Sequence, residues 1–175
     1  MRAWIIVPLG LIAACSGGGG EEKKTESAGA ATSLEAGQWE TSFETTKFGS
    51  TDKTEPALKA AVGDKETASF CLAAADTSNP PPELFAGEGY DCDYKSSYLR
   101  KGRINASLSC ERDGIDGQIM MSVEGTFTGT GFEGTAETTT YLPGRGDFAQ
   151  TRTVSGRRTA ETCAEGGAGE GNKAG

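Results

Sequence analysis

From Cys92 to about Arg157 the chain alternates, apolar then polar, with a period of two residues. That period belongs to β-strands with one covered and one wet face, because successive side chains of a strand point to opposite sides. Cys92, Tyr94, Ser96 and Tyr98 form one such series, and Ile104, Ala106, Leu108 and Cys110 the next. Leu99-Arg100-Lys101-Gly102-Arg103 lies between them as a turn. Folding this hairpin about Lys101 pairs Cys92 with Cys110, Tyr94 with Leu108, Ser96 with Ala106 and Tyr98 with Ile104. Each pair then joins matching faces, as a stable register requires.

A second hairpin carries Ile119, Met121, Val123, Gly125 and Phe127 on one face of its first strand. After Thr128-Gly129-Thr130-Gly131, its return strand carries Phe132, Gly134, Ala136, Thr138 and Thr140. The opposite face is almost wholly polar, from Ser122 and Glu124 to Glu133 and Glu137. After a turn at 142–146, a last strand runs from Phe148 to about Arg157. Earlier in the chain, residues 37–45 alternate with Trp39, Thr41 and Phe43 on one face, and Thr67 to Leu72 reads as a short strand. Pro56 to Val62 reads as one or two helical turns. Pro80-Pro81-Pro82-Glu83-Leu84-Phe85 reads as a short helix started by proline. The expected fold is mainly all-β, an antiparallel meander of about six strands with one or two short helices. The apolar face must be covered, which a curled sheet, a small barrel or a sandwich would each achieve.

The chain holds five cysteines. With Cys15 assigned to another role below, the remaining four read as two disulfides in an exported protein. The hairpin register selects Cys92–Cys110 and leaves Cys71–Cys163. Loop entropy alone gives about 3 and about 4.7 kcal/mol for the short and long closures. Such staples suit a chain with 26 glycines and only 7% aromatic residues, which builds a modest core. The cysteines lack C-x-x-C spacing, which argues against a metal or redox site.

The first residues follow a different logic. Arg2 precedes an apolar run from Ala3 to Leu11, of secretory length and too short to span a bilayer. The run ends Ile12-Ala13-Ala14-Cys15, which resembles the lipobox of bacterial lipoproteins, whose cysteine takes a diacylglyceryl and then an N-acyl chain such as palmitate. Two or three acyl chains on Cys15 would hold a protein stably to a membrane, where one holds only reversibly. Ser16 follows Cys15 with no aspartate there. By resemblance to enterobacterial sorting this implies the outer membrane, facing the periplasm, over the inner membrane. The expected organisation is a signal peptide over 1–14, the lipidated Cys15 and a flexible tether over 15–33, a disulfide-stapled domain over 34–163, and a frayed tail over 164–175. The Gly- and Glu/Lys-rich tether has a mean reach on the order of 25 Å.

Four pieces of the domain occur in order: Leu34-Glu35-Ala36-Gly37-Gln38-Trp39-Glu40, Phe70-Cys71-Leu72, the Cys92–Cys110 hairpin, and Gly156-Arg157-Arg158-Thr159 leading to Cys163. This order resembles domain-of-unknown-function family 3617, a proteobacterial family of small exported domains. The chain departs from it at Ala160-Glu161-Thr162, where the family has a shorter Gly-containing step. The resemblance implies compartment and fold, and no activity.

The formal charge is −8, which argues against a nucleic-acid partner. There is no histidine, so neither a Ser-His-Asp site nor an imidazole metal ligand can form. No Ser-x-x-Lys or nucleophile elbow occurs, and no cofactor is implied. The expectation is therefore not an enzyme but an envelope lipoprotein whose β domain serves protein–protein interaction or assembly support. The alternative is a carrier or sensor of a small amphiphile. Gly37-x-Trp39 resembles the opening of lipocalin barrels, and Gly125 and Gly134 fall opposite each other, where missing side chains either leave room for a ligand or ease the bend of a curled sheet. The ligand-binding candidates on that reading are Trp39, against a plain core role, and Arg152, which shares a face with Phe148 and Val154 and would meet an anionic head group or simply a carboxylate of the protein. Arg157 and Arg158 offer a phosphate site or an end-of-strand charge pair. The Arg145-Gly146-Asp147 tripeptide and the Asn105-Ala106-Ser107 sequon are read as chance.

Overall fold

The structure, a computed structural model, describes residues 31–163. The expected signal peptide over 1–14, the expected lipidation site Cys15, the expected tether as far as residue 30 and the expected tail over 164–175 lie outside the described residues. The described chain forms β1 (Gly37–Ser50), β2 (Lys65–Leu72), α1 (Glu83–Ala86), β3 (Tyr90–Arg100), β4 (Arg103–Arg112), β5 (Ile115–Phe127), β6 (Gly131–Tyr141) and β7 (Phe148–Ala160). The fold is all-β, one curled antiparallel sheet in the order β2-β1-β7-β6-β5-β4-β3. It has seven strands where about six were expected. It also breaks the simple meander, because β1 pairs along its length with β7 and the chain must cross from β2 at one edge to β3 at the other. Side-chain alternation tells which face a strand buries and not which strand lies beside it, so this pairing is invisible in the pattern.

The crossover covers the concave face. Leu84, Phe85 and Ala86 of α1 are all buried, and Phe85 packs edge-on against Phe132 of β6. Trp39 stacks on the same Phe132 ring, with centroids 5.9 Å apart. Met121, Val123, Leu108 and Ile119 complete this wall of the core. The segment before β1 closes one end of the sheet. Ala31 O accepts from the Gly102 N–H, Leu34 N–H donates to Thr77 O and Glu35 N–H to Gly129 O, which brings three turns under the buried Leu34. Ala31, read above as part of the tether, is thus bonded to the β3–β4 turn and packs against the core. Gly37 opens β1 with φ 139°, and an added Cβ would collide with the Ala160 carbonyl, so the close approach of β1 to the end of β7 requires glycine there.

The β3–β4 hairpin keeps the expected register at Cys92–Cys110 and Tyr94–Leu108, then shifts by one residue at Lys95. Ser96 and Tyr98 therefore pair with Ser107 and Asn105, not with Ala106 and Ile104. The bulge turns Leu99 into the core and leaves Tyr98 exposed. It also gives a two-residue turn at Lys101-Gly102, where both residues adopt positive φ and match the twist of the strands. Pro56 to Val62 is not helical. Ala57 N–H donates instead to Gly146 O, Ala61 O accepts from the Asp64 N–H in a turn, and Gly63 N–H just beyond donates to Thr45 O.

A cationic cleft at the end away from the N-terminal segment

Strand direction places residue 31, the β3–β4 turn and the end of β7 at one end of the sheet. The opposite end gathers the β1–β2 loop, the β6–β7 turn and the start of β3. There Arg152 projects inward from β7, in the same series as Phe148, Gln150 and Val154, all buried. Only 4% of Arg152 is exposed. Its Nη2 donates to Ala86 O at the end of α1, and its guanidinium lies over the rings of Phe43, 4.8 Å away, and Tyr90, 5.4 Å away. The nearest carboxylate oxygen, Glu66 Oε2, is 3.9 Å from Nη1, beyond hydrogen-bond length, and Nε has no partner. Burial pulls the Arg152 pKa below the ordinary guanidinium value, Tyr90 and Glu66 oppose this, and Arg112 adds to it.

Arg112 lies at the end of β4 with its guanidinium 4.4 Å above the same Tyr90 ring. Tyr90 and Arg112 are cross-strand partners in the hairpin register. With Phe43, Leu58, Lys59 and Glu66, these residues line an open cleft of about 380 Å³. A second depression, on the convex face at Gly125, is lined by Ser122, Glu124 and Glu137 and has no cationic wall.

The sequence candidates separate. Arg152 lines the cleft, whereas Trp39 is wholly buried near the opposite end, donates its indole N–H to Glu35 O and packs on Phe132. Gly125 and Gly134 do face each other, but an added Cβ on either would strike the backbone of the other strand, so the pair serves close approach of β5 and β6. Arg157 binds Glu40 across the strands, and Arg158 binds Glu35 and the Ala36 carbonyl. Asp147 of the Arg-Gly-Asp tripeptide accepts from Thr140 and from the Leu142 N–H, which makes it part of its own turn. The sulfurs of Cys92 and Cys110, and of Cys71 and Cys163, lie at disulfide distance. No cluster of His, Cys, Asp or Glu able to hold a metal occurs among the described residues. Sequence reasoning missed Tyr90 and Arg112, although extending the Cys92–Cys110 register by two residues pairs them.

Among known families, the one described as a protein of unknown function, DUF3617, matches residues 34–163. The chain belongs to DUF3617. No curated protein and no solved structure matches it. This DUF3617 domain therefore presents a curled sheet filled by its own crossover, with a cationic cleft at the end away from residue 31.

Proposed function

We propose that this is a non-catalytic lipoprotein of the bacterial outer membrane, held through lipid on Cys15 and presenting its β domain to the periplasm for interaction with another envelope protein. The observation that carries the reading is polarity along the chain. The lipobox-like Ile12-Ala13-Ala14-Cys15 precedes the segment that closes one end of the sheet, so a tether leaving that end turns the β1–β2 loop and the cleft away from the membrane. The cysteine pairs at disulfide distance support an oxidising compartment. Two features support a binding role over catalysis: the absence of histidine and a cleft in which four cations and two aromatic rings outweigh two carboxylates, Asp64 and Glu66, each held by a backbone N–H.

Cys15→Ser should move the protein from the membrane to the soluble fraction and remove the acyl mass from Cys15; continued membrane retention rejects the anchor. A photo-crosslinking residue at Val62, 67% exposed in the β1–β2 loop, should yield a discrete adduct with an envelope protein in cells. Its absence, with adducts also missing from Tyr141 beside the β6–β7 turn, rejects the interaction role. The alternative of a small-amphiphile carrier is favoured only by the end cleft, because α1 side chains occupy the concave face where a lipocalin-like cargo would sit.

A further inference from the structure

We infer that the cleft at the end of the sheet is a binding site for a small organic carboxylate with a short apolar body. The inference goes beyond the envelope role and does not depend on the anchor or on a protein partner.

Charge comes first. In a chain of net charge −8, the cleft gathers Arg152, Arg112, Lys59 and Lys65 against Asp64 and Glu66. The two carboxylates are engaged by the backbone, Asp64 with the Ala61 N–H and Glu66 with the Glu88 N–H. Lys65 leans outward to Glu44. Arg152 therefore keeps a buried charge with its Nε–H unpartnered and only a long ion pair, 3.9 Å, to Glu66 Oε2. A buried cation in that condition is costly, and an anion entering beside it offsets the cost. Arg112 shares the Tyr90 ring with Arg152, which brings a second guanidinium to the same site.

Shape and polarity narrow the class. Phe43, Tyr90 and Leu58 give the cleft an apolar wall, and about 380 Å³ is at the small end of the range for ligand sites. Glu66 at the rim opposes a doubly charged phosphate more than a singly charged carboxylate. A planar carboxylate also suits the forked donors of a guanidinium.

Titration calorimetry of the full chain, with hexanoate as probe, tests the site. Hexanol, hexylammonium and inorganic phosphate serve as comparisons. Hexanoate should bind, and the three comparisons should bind at least about tenfold more weakly. Arg112→Gln, at a half-buried strand end, should weaken hexanoate by about tenfold or more. Lys59→Gln on the exposed loop should weaken it less, and amide shifts on binding should centre on residues 43, 90 and 152. Arg152→Lys would abolish binding if it folds, but the Arg112 and Lys59 variants decide the matter without it. Equal binding of hexanol or phosphate, unchanged affinity in Arg112→Gln, or no hexanoate binding would each overturn the proposal.

Discussion

Phe85 of the crossover meets Phe132 of β6 edge to face, with ring centres 5.1 Å apart and planes at 70°. Trp39 lies against that same Phe132 ring at 27°. The first strand, the sixth strand and the crossover are joined through one side chain. A helix of four residues has no stability of its own, so α1 is held in place by what its side chains bury. Arg152 adds the polar half of that attachment, by donating to Ala86 O at the helix end.

Phe85→Ala should therefore cost about 3–5 kcal/mol, the range for deleting a buried ring. Urea unfolding with an unchanged slope measures it. Loss of the crossover from the concave face would also expose Phe132 and Trp39, which an apolar dye would report at low denaturant. A cost below about 1 kcal/mol would show that the ring fills no essential space.

The two cysteine pairs make unequal contributions. Cys92 and Cys110 are 18 residues apart and already opposite each other in a hairpin, whereas Cys71 and Cys163 are 92 apart and tie edge strand β2 to the end of β7 across β1. Chain entropy assigns about 3 kcal/mol to the first and about 4.7 kcal/mol to the second. Replacing both cysteines of a pair by serine should lower the urea midpoint more for Cys71/Cys163. Equal losses would mean that native contacts, and not the length of the closed loop, set the gain.

Gly125 and Gly134, cross-strand partners, allow β5 and β6 to approach closely. A methyl at Gly134 would strike the Glu124 carbonyl across the pair, and backbone cannot swing aside as a side chain can. Gly134→Ala should cost about 1–3 kcal/mol, the range for overpacking. Gly144→Ala in the β6–β7 turn is the control, because nothing lies within 4 Å of its added carbon. It should change stability by less than about 0.5 kcal/mol. Thermal melts of the two variants side by side check the contrast.

The alternation from Cys92 to Thr140 was sufficient to read two hairpins, the buried faces of β4, β5 and β6 and the opposition of Cys92 to Cys110, because each of those rests on neighbours in sequence. What lay beyond it was non-local or geometric. The Lys95 bulge inserts one residue into β3, and a polar run such as Lys95-Ser96-Ser97 carries no pattern that would betray it. The β1–β7 pairing joins strands about a hundred residues apart. The cleft follows from that pairing, since it brings Phe43 of β1 and Arg152 of β7 beside Tyr90, which only the crossover delivers there. Arg152 could be suspected from its place in an apolar series; its aromatic partners could not.

Asp52 fastens the loops beside the cleft and should make them sensitive to acid. Its carboxylate accepts from the Thr54 N–H and hydroxyl, from Ser50 Oγ, and from the Gly146 and Asp147 N–H groups of the β6–β7 turn. These hydrogen bonds, led by the Thr54 N–H, hold its pKa well below the ordinary carboxylate range. A folded-state pKa below the unfolded one means that the contribution is complete above the unfolded value. It is lost as pH falls through the ordinary carboxylate range toward the folded value. Asp52→Asn should accordingly be less stable than the parent at neutral pH, with the gap narrowing toward about pH 2. Urea midpoints of both proteins across that interval measure it. A gap that stays constant would mean that the loss does not follow ionisation of Asp52. Amide exchange in residues 55–64 should also quicken in the variant, because Asp52 shares with Thr54 Oγ1 and the Ala57 N–H the bonds that join that loop to Gly146.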